Sequence, residues 1–161
     1  MDHGAKRIDQ EQKFFTGGCQ CGALRYALMA APHHVSVCHC RMCQKASGGP
    51  IMAFARVKKD QLRWTRGRPA AFRSSSLVER HFCSACGTPL TYNFIDSGNI
   101  SVTACSLDDP EAVRPVLQYS IDRTLSWFPT IGDLPGKRTE EFITPDRAER
   151  FVSHQHPDRE T

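Results

Sequence analysis

Seven of the eight cysteines in this 161-residue chain fall in three tight clusters: Cys19-Gln20-Cys21, Cys38-His39-Cys40-Arg41-Met42-Cys43 and Cys83-Ser84-Ala85-Cys86. No other feature limits the fold as much, because tetrahedral zinc takes four ligands and seven thiols divide into four plus three. A closed four-thiolate site serves architecture, whereas a three-thiolate site leaves one position for water or substrate. Disulfides in a secreted domain are the runner-up reading of eight cysteines. Against them, Cys-x-Cys and Cys-x-x-Cys pairs close loops too short to be useful as crosslinks, and the same spacings suit metal.

A chain of this length suits one domain with an ordinary core. Ten prolines and eleven glycines spread along it point to short strands and many turns rather than long helices. The expected organisation is a flexible leader over 1–13, a single domain over 14–153 and a frayed tail over 154–161. Strands are expected over Ala23–Met29, around Val35 and Val37, and over Pro50–Val57, Leu62–Thr65, Ala70–Arg73, Val78–Phe82, Leu90–Phe94 and Asn99–Thr103. Thr144-Pro145-Asp146 combines an N-cap residue, proline at N1 and an acid in the first turn, so a short helix should run from there toward Ser153. The fold class is therefore all-β, mainly antiparallel, with a short C-terminal helix.

The formal charge is +4, and the basic residues come singly or in pairs. A nucleic-acid surface normally concentrates them, so nucleic acid is not an expected partner. Thiolate-bound zinc would also draw the balance toward neutrality, carrying about −2 with four thiolates and about −1 with three. No stretch is apolar for long enough to cross a bilayer, and the first fifteen residues lack the apolar run of a signal peptide. The expected setting is cytoplasmic, where thiols stay reduced.

Cys83-Ser84-Ala85-Cys86-Gly87 lies between two expected strands and reads as a metal-binding hairpin tip, with Gly87 free to take the left-handed conformation that closes it. Cys19 and Cys21 alternate along an extended segment, so both sulfurs can face one ion. Together these pairs supply four thiolates. Cys38, Cys40 and Cys43 place three more in one loop, and the fourth corner is the functional question. The chain's candidates for it are His39, His33, His34, His81 and Cys105. His39 should point away, being flanked by ligands. His33 and His34 read as solvent-facing groups or as supports to a ligand rather than ligands, His81 belongs to the approach to the other pair, and Cys105 reads equally as a free buried thiol. An open corner is the preferred reading. Three anionic thiolates make zinc a poor Lewis acid, so its aptitude is to take a fourth sulfur in deprotonated form, which points to thiol substrates rather than hydrolysis. Arg41, Lys45 and Arg56 are cations that could meet a substrate carboxylate, but each reads more readily as an ordinary surface charge.

Gly17-Gly18-Cys19-Gln20-Cys21-Gly22, then Cys38-His39-Cys40-Arg41-Met42-Cys43, then Phe82-Cys83-Ser84-Ala85-Cys86-Gly87-Thr88-Pro89-Leu90 resemble the glutathione-dependent formaldehyde-activating enzyme family, which is grouped with centromere protein V. Leu107-Asp108-Asp109-Pro110 and Ser126-Trp127 fit the same pattern. The resemblance covers roughly residues 14–135 and implies a tent-like arrangement of packed antiparallel sheets with zinc at their junction. It further implies two zinc ions: a structural one on Cys19, Cys21, Cys83 and Cys86, and a catalytic one on Cys38, Cys40 and Cys43. The activity implied is that of a carbon–sulfur lyase, condensing formaldehyde with glutathione to S-hydroxymethylglutathione. The partners expected are thus a small-molecule thiol and an aldehyde, with homo-oligomerisation left open. Two other functions stand beside it: a non-catalytic zinc-stapled binding module, and a zinc–thiolate redox sensor that releases metal on oxidation.

Overall fold

The computed structural model describes residues 15–159; the leader expected over 1–13 lies outside the described residues. Ten strands form two sheets: β1 (Phe15–Gly18), β2 (Arg25–Leu28), β3 (His34–Cys38), β4 (Met52–Lys58), β5 (Leu62–Arg66), β6 (Ala70–Arg73), β7 (Val78–Phe82), β8 (Pro89–Phe94), β9 (Asn99–Thr103) and β10 (Leu117–Tyr119). The smaller sheet has the order β1-β2-β5 and the larger β10-β3-β4-β9-β8-β7-β6. Every pairing is antiparallel except that of β10 with β3. The architecture is thus all-β and mainly antiparallel, as the sequence indicates, with one sheet seven strands wide.

Side chains on a strand alternate between faces, so register sorts the large sheet into two sides. One row across it reads Val35, Ala55, Val102, Thr91 and His81, and the next reads His34, Arg56, Ser101, Tyr92 and Arg80. The first side meets the small sheet. Ala55, Val57 and Val102 pack there into one buried cluster with Tyr26 and Leu28, and Trp64 sets its ring edge-on to His81. All four residues of β2 are buried. Arg25 among them is a cation that must be matched inside, and Asp108 does so, accepting from Nη1 at 2.8 Å while also taking the Thr16 hydroxyl. Arg25 reaches the Arg159 carbonyl as well (3.1 Å), and the His156 amide donates to Gln20 (2.7 Å). The segment expected as a frayed tail is therefore laid against the β1–β2 connection.

The second side of the large sheet carries α1 (Arg41–Ser47), which the sequence presents as a loop. Arg41, Met42, Gln44, Lys45 and Ala46 are all good helix formers, a signal easily missed under a cysteine motif. Cys40 caps the helix, its sulfur accepting from the Cys43 amide at 3.4 Å, and Gly48 ends it at φ 69° with its amide on the Gln44 carbonyl. The C-terminal helix α2 (Pro145–Arg150) starts at its proline as expected and stops short of Ser153. Among the described residues no helix is long and apolar enough to cross a membrane.

Candidate functional site

The seven clustered cysteines separate into the two groups their number suggests. Sulfurs of Cys19, Cys21, Cys83 and Cys86 lie within 4.8 Å of one another, as do those of Cys38, Cys40 and Cys43. The four-sulfur group joins the sheets: Cys19 and Cys21 come from the β1–β2 connection of the small sheet, Cys83 and Cys86 from the β7–β8 hairpin of the large one. The first pair is not delivered by an extended segment. A turn closed by the Gly22 amide on the Cys19 carbonyl (3.0 Å) folds the chain so that Cys19 and Cys21 face the same point, their sulfurs 3.6 Å apart. In the hairpin, Gly87 sits at φ 77°, its amide on the Cys83 carbonyl at 2.8 Å. Backbone hydrogen bonds also aim at the sulfurs, with the Leu24 amide 3.2 Å from Cys19. Desolvation pushes the Cys19 thiol up to about 12. At Cys86 desolvation acts the same way but is outweighed by hydrogen bonds with Thr88 and Cys21, which bring it down to about 6.

The three-sulfur group is built from one short stretch: Cys38 ends β3, Cys40 caps α1 and Cys43 lies in its first turn. Burial holds Cys43 up at about 12 against the pull of Arg80, while Cys40 is lowered, desolvation there being outweighed by hydrogen bonds from Cys43 and Cys38. Arg80, from β7, is the group that sequence reasoning overlooked. It is 7% exposed, its Nη2 donates to the Cys43 sulfur at 3.3 Å, and its guanidinium stacks 4.8 Å from the Tyr92 ring centre. Taking an arginine out of water costs several kcal/mol unless an anion answers it. The nearby acceptors are sulfurs, those of Cys43 and Met52, and the Nε has no partner among the described residues. Three thiolates around a divalent cation carry a net −1, which this buried cation would balance. The donor set and the arginine together fit a thiolate-bound metal.

The other candidates for the fourth corner are engaged elsewhere. His39 is buried with Nε2 2.9 Å from Gln118 Oε1 and its ring edge-on to Phe128. His81 lies between Thr91 and Glu79, on the far side of the sheet. His34 meets the Tyr119 hydroxyl, and His33 is exposed. Cys105, read as buried from sequence, is exposed and belongs to neither cluster, because it follows β9 in a one-turn helix whose neighbours Ala104 and Ser106 turn inward instead. No fourth histidine, cysteine or carboxylate joins the three sulfurs among the described residues.

The three sulfurs instead face a cleft of about 410 Å³ with walls from Phe54, Tyr92, Phe94 and Tyr119 and with Arg56 among its lining groups. Desolvation and the neighbouring Cys43 raise the Tyr92 phenol, so it stays protonated there. Of the three cations singled out in the sequence, only Arg56 lines this cleft; Arg41 and Lys45 are exposed on α1. A second hollow, about 440 Å³, adjoins the four-sulfur group, but its facing charges Arg25 and Asp108 are spent on each other. The Met52–Phe54–Arg56 alternation in the most apolar stretch of the chain was the sequence signal for a cleft wall.

Comparison with known proteins agrees with this geometry. The sequence model described as glutathione-dependent formaldehyde-activating enzyme matches residues 14–123. An uncharacterized lyase of Schizosaccharomyces pombe is 31% identical over 85 residues, which is 53% of this chain and 61% of that protein. The chain thus matches only about three-fifths of the length of that curated relative. A crystal structure of a Rhodobacter sphaeroides protein superposes with a TM-score of 0.53 at 20% identity, covering 64% of this chain and 98% of that one, a likeness of fold.

Proposed function

Because the chain belongs to the glutathione-dependent formaldehyde-activating enzyme family, we propose that it forms or cleaves the carbon–sulfur bond between a thiol, glutathione by default, and a small aldehyde such as formaldehyde. The observation that carries this reading is the meeting of three thiol sulfurs at a cleft with no fourth protein ligand among the described residues. A purely structural centre would have a fourth protein ligand in that corner. The lyase name of the fission-yeast relative points the same way.

Thiolate donors in a tetrahedral set suit zinc. Cys19, Cys21, Cys83 and Cys86 would hold a structural ion and Cys38, Cys40 and Cys43 a catalytic one. Bound there, that second ion would supply one further coordination position and favour a substrate thiol in its anionic form. In the condensing direction the substrate sulfur gives its electron pair to the aldehyde carbon and the carbonyl π pair moves onto oxygen. The proton lost by the thiol ends on that oxygen, and cleavage reverses each movement. The chain's part is to position and to exclude water: Phe54, Tyr92 and Phe94 wall the cleft, and Arg80 holds the Cys43 sulfur. A reducing, cytoplasmic setting would keep both cysteine groups ready for metal.

The test is exchange spectroscopy with ¹³C-labelled formaldehyde and glutathione. Purified protein should accelerate interconversion of free formaldehyde and the S-hydroxymethyl adduct. A rate equal to that of the protein-free mixture, with glutathione and with a more apolar thiol alike, would sink the proposal.

Arg80 offers a separate check on the metal. Partners that hydrogen-bond to a metal's ligands are worth about 10–100-fold in affinity. Arg80→Met keeps the volume and the contact with Tyr92 but removes the cation. It should weaken zinc at the three-sulfur centre by about that factor, measured by competition with a chromophoric chelator, while the four-sulfur centre is unchanged. Arg80→Lys should fall between the two, keeping the charge without the guanidinium fork.

A further inference from the structure

The cleft beside Cys38, Cys40 and Cys43 has a chemistry of its own. At one end are the three sulfurs. Along its length run aromatic and thioether side chains, Phe54, Tyr92 and Phe94 from the sheet, Tyr119 from the edge strand and Met42 from α1. Beyond them stands Arg56, and past it a smaller hollow of about 110 Å³ continues over Ser97, Asn99 and Ser101. Among the described residues no aspartate or glutamate lines either space.

Register places the two ends. Cys38 lies opposite Met52, and Arg56 is four residues farther along the same strand. At about 3.3 Å per residue that separates their backbone levels by roughly 13 Å. Met52, Phe54 and Arg56 share one face of β4, so the arginine is presented to the same cleft as Cys38, Cys40 and Cys43. Among the described residues its guanidinium makes no hydrogen bond or ion pair. Arg80, the other cation on this face, is already committed to the Cys43 sulfur. One fork of guanidinium donors therefore awaits one anion, at the far end of an apolar path from the sulfurs.

Glutathione matches this poorly. It carries two carboxylates, an ammonium and two amide groups, while among the described residues the cleft offers one unpaired cation, no carboxylate to meet the ammonium, and, beside its aromatic walls, only the hydroxyls of Ser36, Ser101, Ser120, Tyr92 and Tyr119. Desolvating a charge without a partner is costly, and burying amides unpaired costs further.

We propose that this cleft selects a monoanionic thiol: an aromatic or otherwise apolar body with the sulfur at one end and a single carboxylate at the other, the carboxylate held by Arg56. This deepens the assignment of the three-sulfur corner as a thiol site and rests on it. The aldehyde partner and the bonds made and broken are the same.

Three probes separate the ideas: 4-(mercaptomethyl)benzoate, its neutral carboxamide and glutathione. Each is titrated calorimetrically into the full-length, metal-containing protein and into Arg56→Gln. The benzoate should bind wild type at least tenfold more tightly than glutathione. Arg56→Gln should weaken the benzoate by about tenfold, the scale of a charge-assisted pair, and leave the carboxamide unchanged. Unchanged carboxamide binding also shows that the variant is folded. Arg56→Lys should recover part of the loss. Glutathione binding as tightly as the benzoate, or an equal loss for benzoate and carboxamide in Arg56→Gln, overturns the proposed selectivity while leaving the thiol site standing. If none of the three thiols binds, the thiol-site reading itself fails, and this inference with it.

Discussion

Cys83→Ser should unfold the domain. Its sulfur lies in the four-cysteine group that joins the β1–β2 connection to the β7–β8 hairpin, and Cys83 itself is buried at 2% exposure. Structural zinc contributes about 10–16 kcal/mol in small domains, as much as or more than the whole net stability of a typical one, about 5–15 kcal/mol. Losing a thiolate from a closed centre forfeits much of the first quantity, and the second cannot absorb it. The small sheet, only three strands wide, would then depend on its contacts with the large one through Tyr26, Leu28 and Trp64. The expected result is loss of near-ultraviolet dichroism and of a cooperative melt, with strong chelators doing the same to wild type. A folded Cys83→Ser protein that melts within a few degrees of wild type would show that hydrophobic packing, not metal, joins the sheets.

Cys40→Ser should have the opposite character. Cys40 supplies one of three sulfurs in the cleft and nothing to the junction of the sheets. Its other task is to cap α1 by accepting from the Cys43 amide. Serine is among the best N-cap residues, so the helix keeps its start and costs little in stability. Zinc content should fall from two ions per chain to one, and formaldehyde exchange should drop to the uncatalysed rate, with the melting temperature nearly unchanged. The pair of variants separates architecture from chemistry. Two ions retained in Cys40→Ser, full turnover without the second ion, or collapse of the fold would each contradict the division of labour.

The expected strands were legible because each combines alternation or a short apolar run with turn residues at its ends, as in Leu90–Phe94 and Asn99–Thr103 around Asp96-Ser97-Gly98. Three elements were not. Phe15–Gly18 ends in two glycines and becomes a strand by pairing with β2, so no local alternation marks it. Residues Arg41–Ser47 look like a metal loop because cysteines dominate the eye, yet the intervening residues favour helix. Leu117–Tyr119 is three exposed residues whose strand exists through β3, its one neighbour in the sheet, and no local pattern can announce such a partner. Arg80 was hidden for a related reason: in sequence it is one charged residue between Glu79 and His81, and only register turns it inward while both neighbours face the other way.

The cysteine spacing by itself determined three local clusters of thiols, two pairs and a triplet, because residues so close in the chain are close in space; folding decided that the two pairs meet, with the Cys21 and Cys83 sulfurs 3.8 Å apart. Folding decided what each group touches. The four sulfurs bridge two sheets because Cys19/Cys21 and Cys83/Cys86 sit on different sheets, a fact of strand order. The three sulfurs open on an aromatic cleft with Arg56 on its wall because alternation on β4, β8 and β9 sends Phe54, Arg56, Tyr92 and Ser101 to one side. Ligand spacing is local and survives in the one-dimensional chain. The surroundings of a ligand come from residues tens of positions away, and only pairing between strands brings them together.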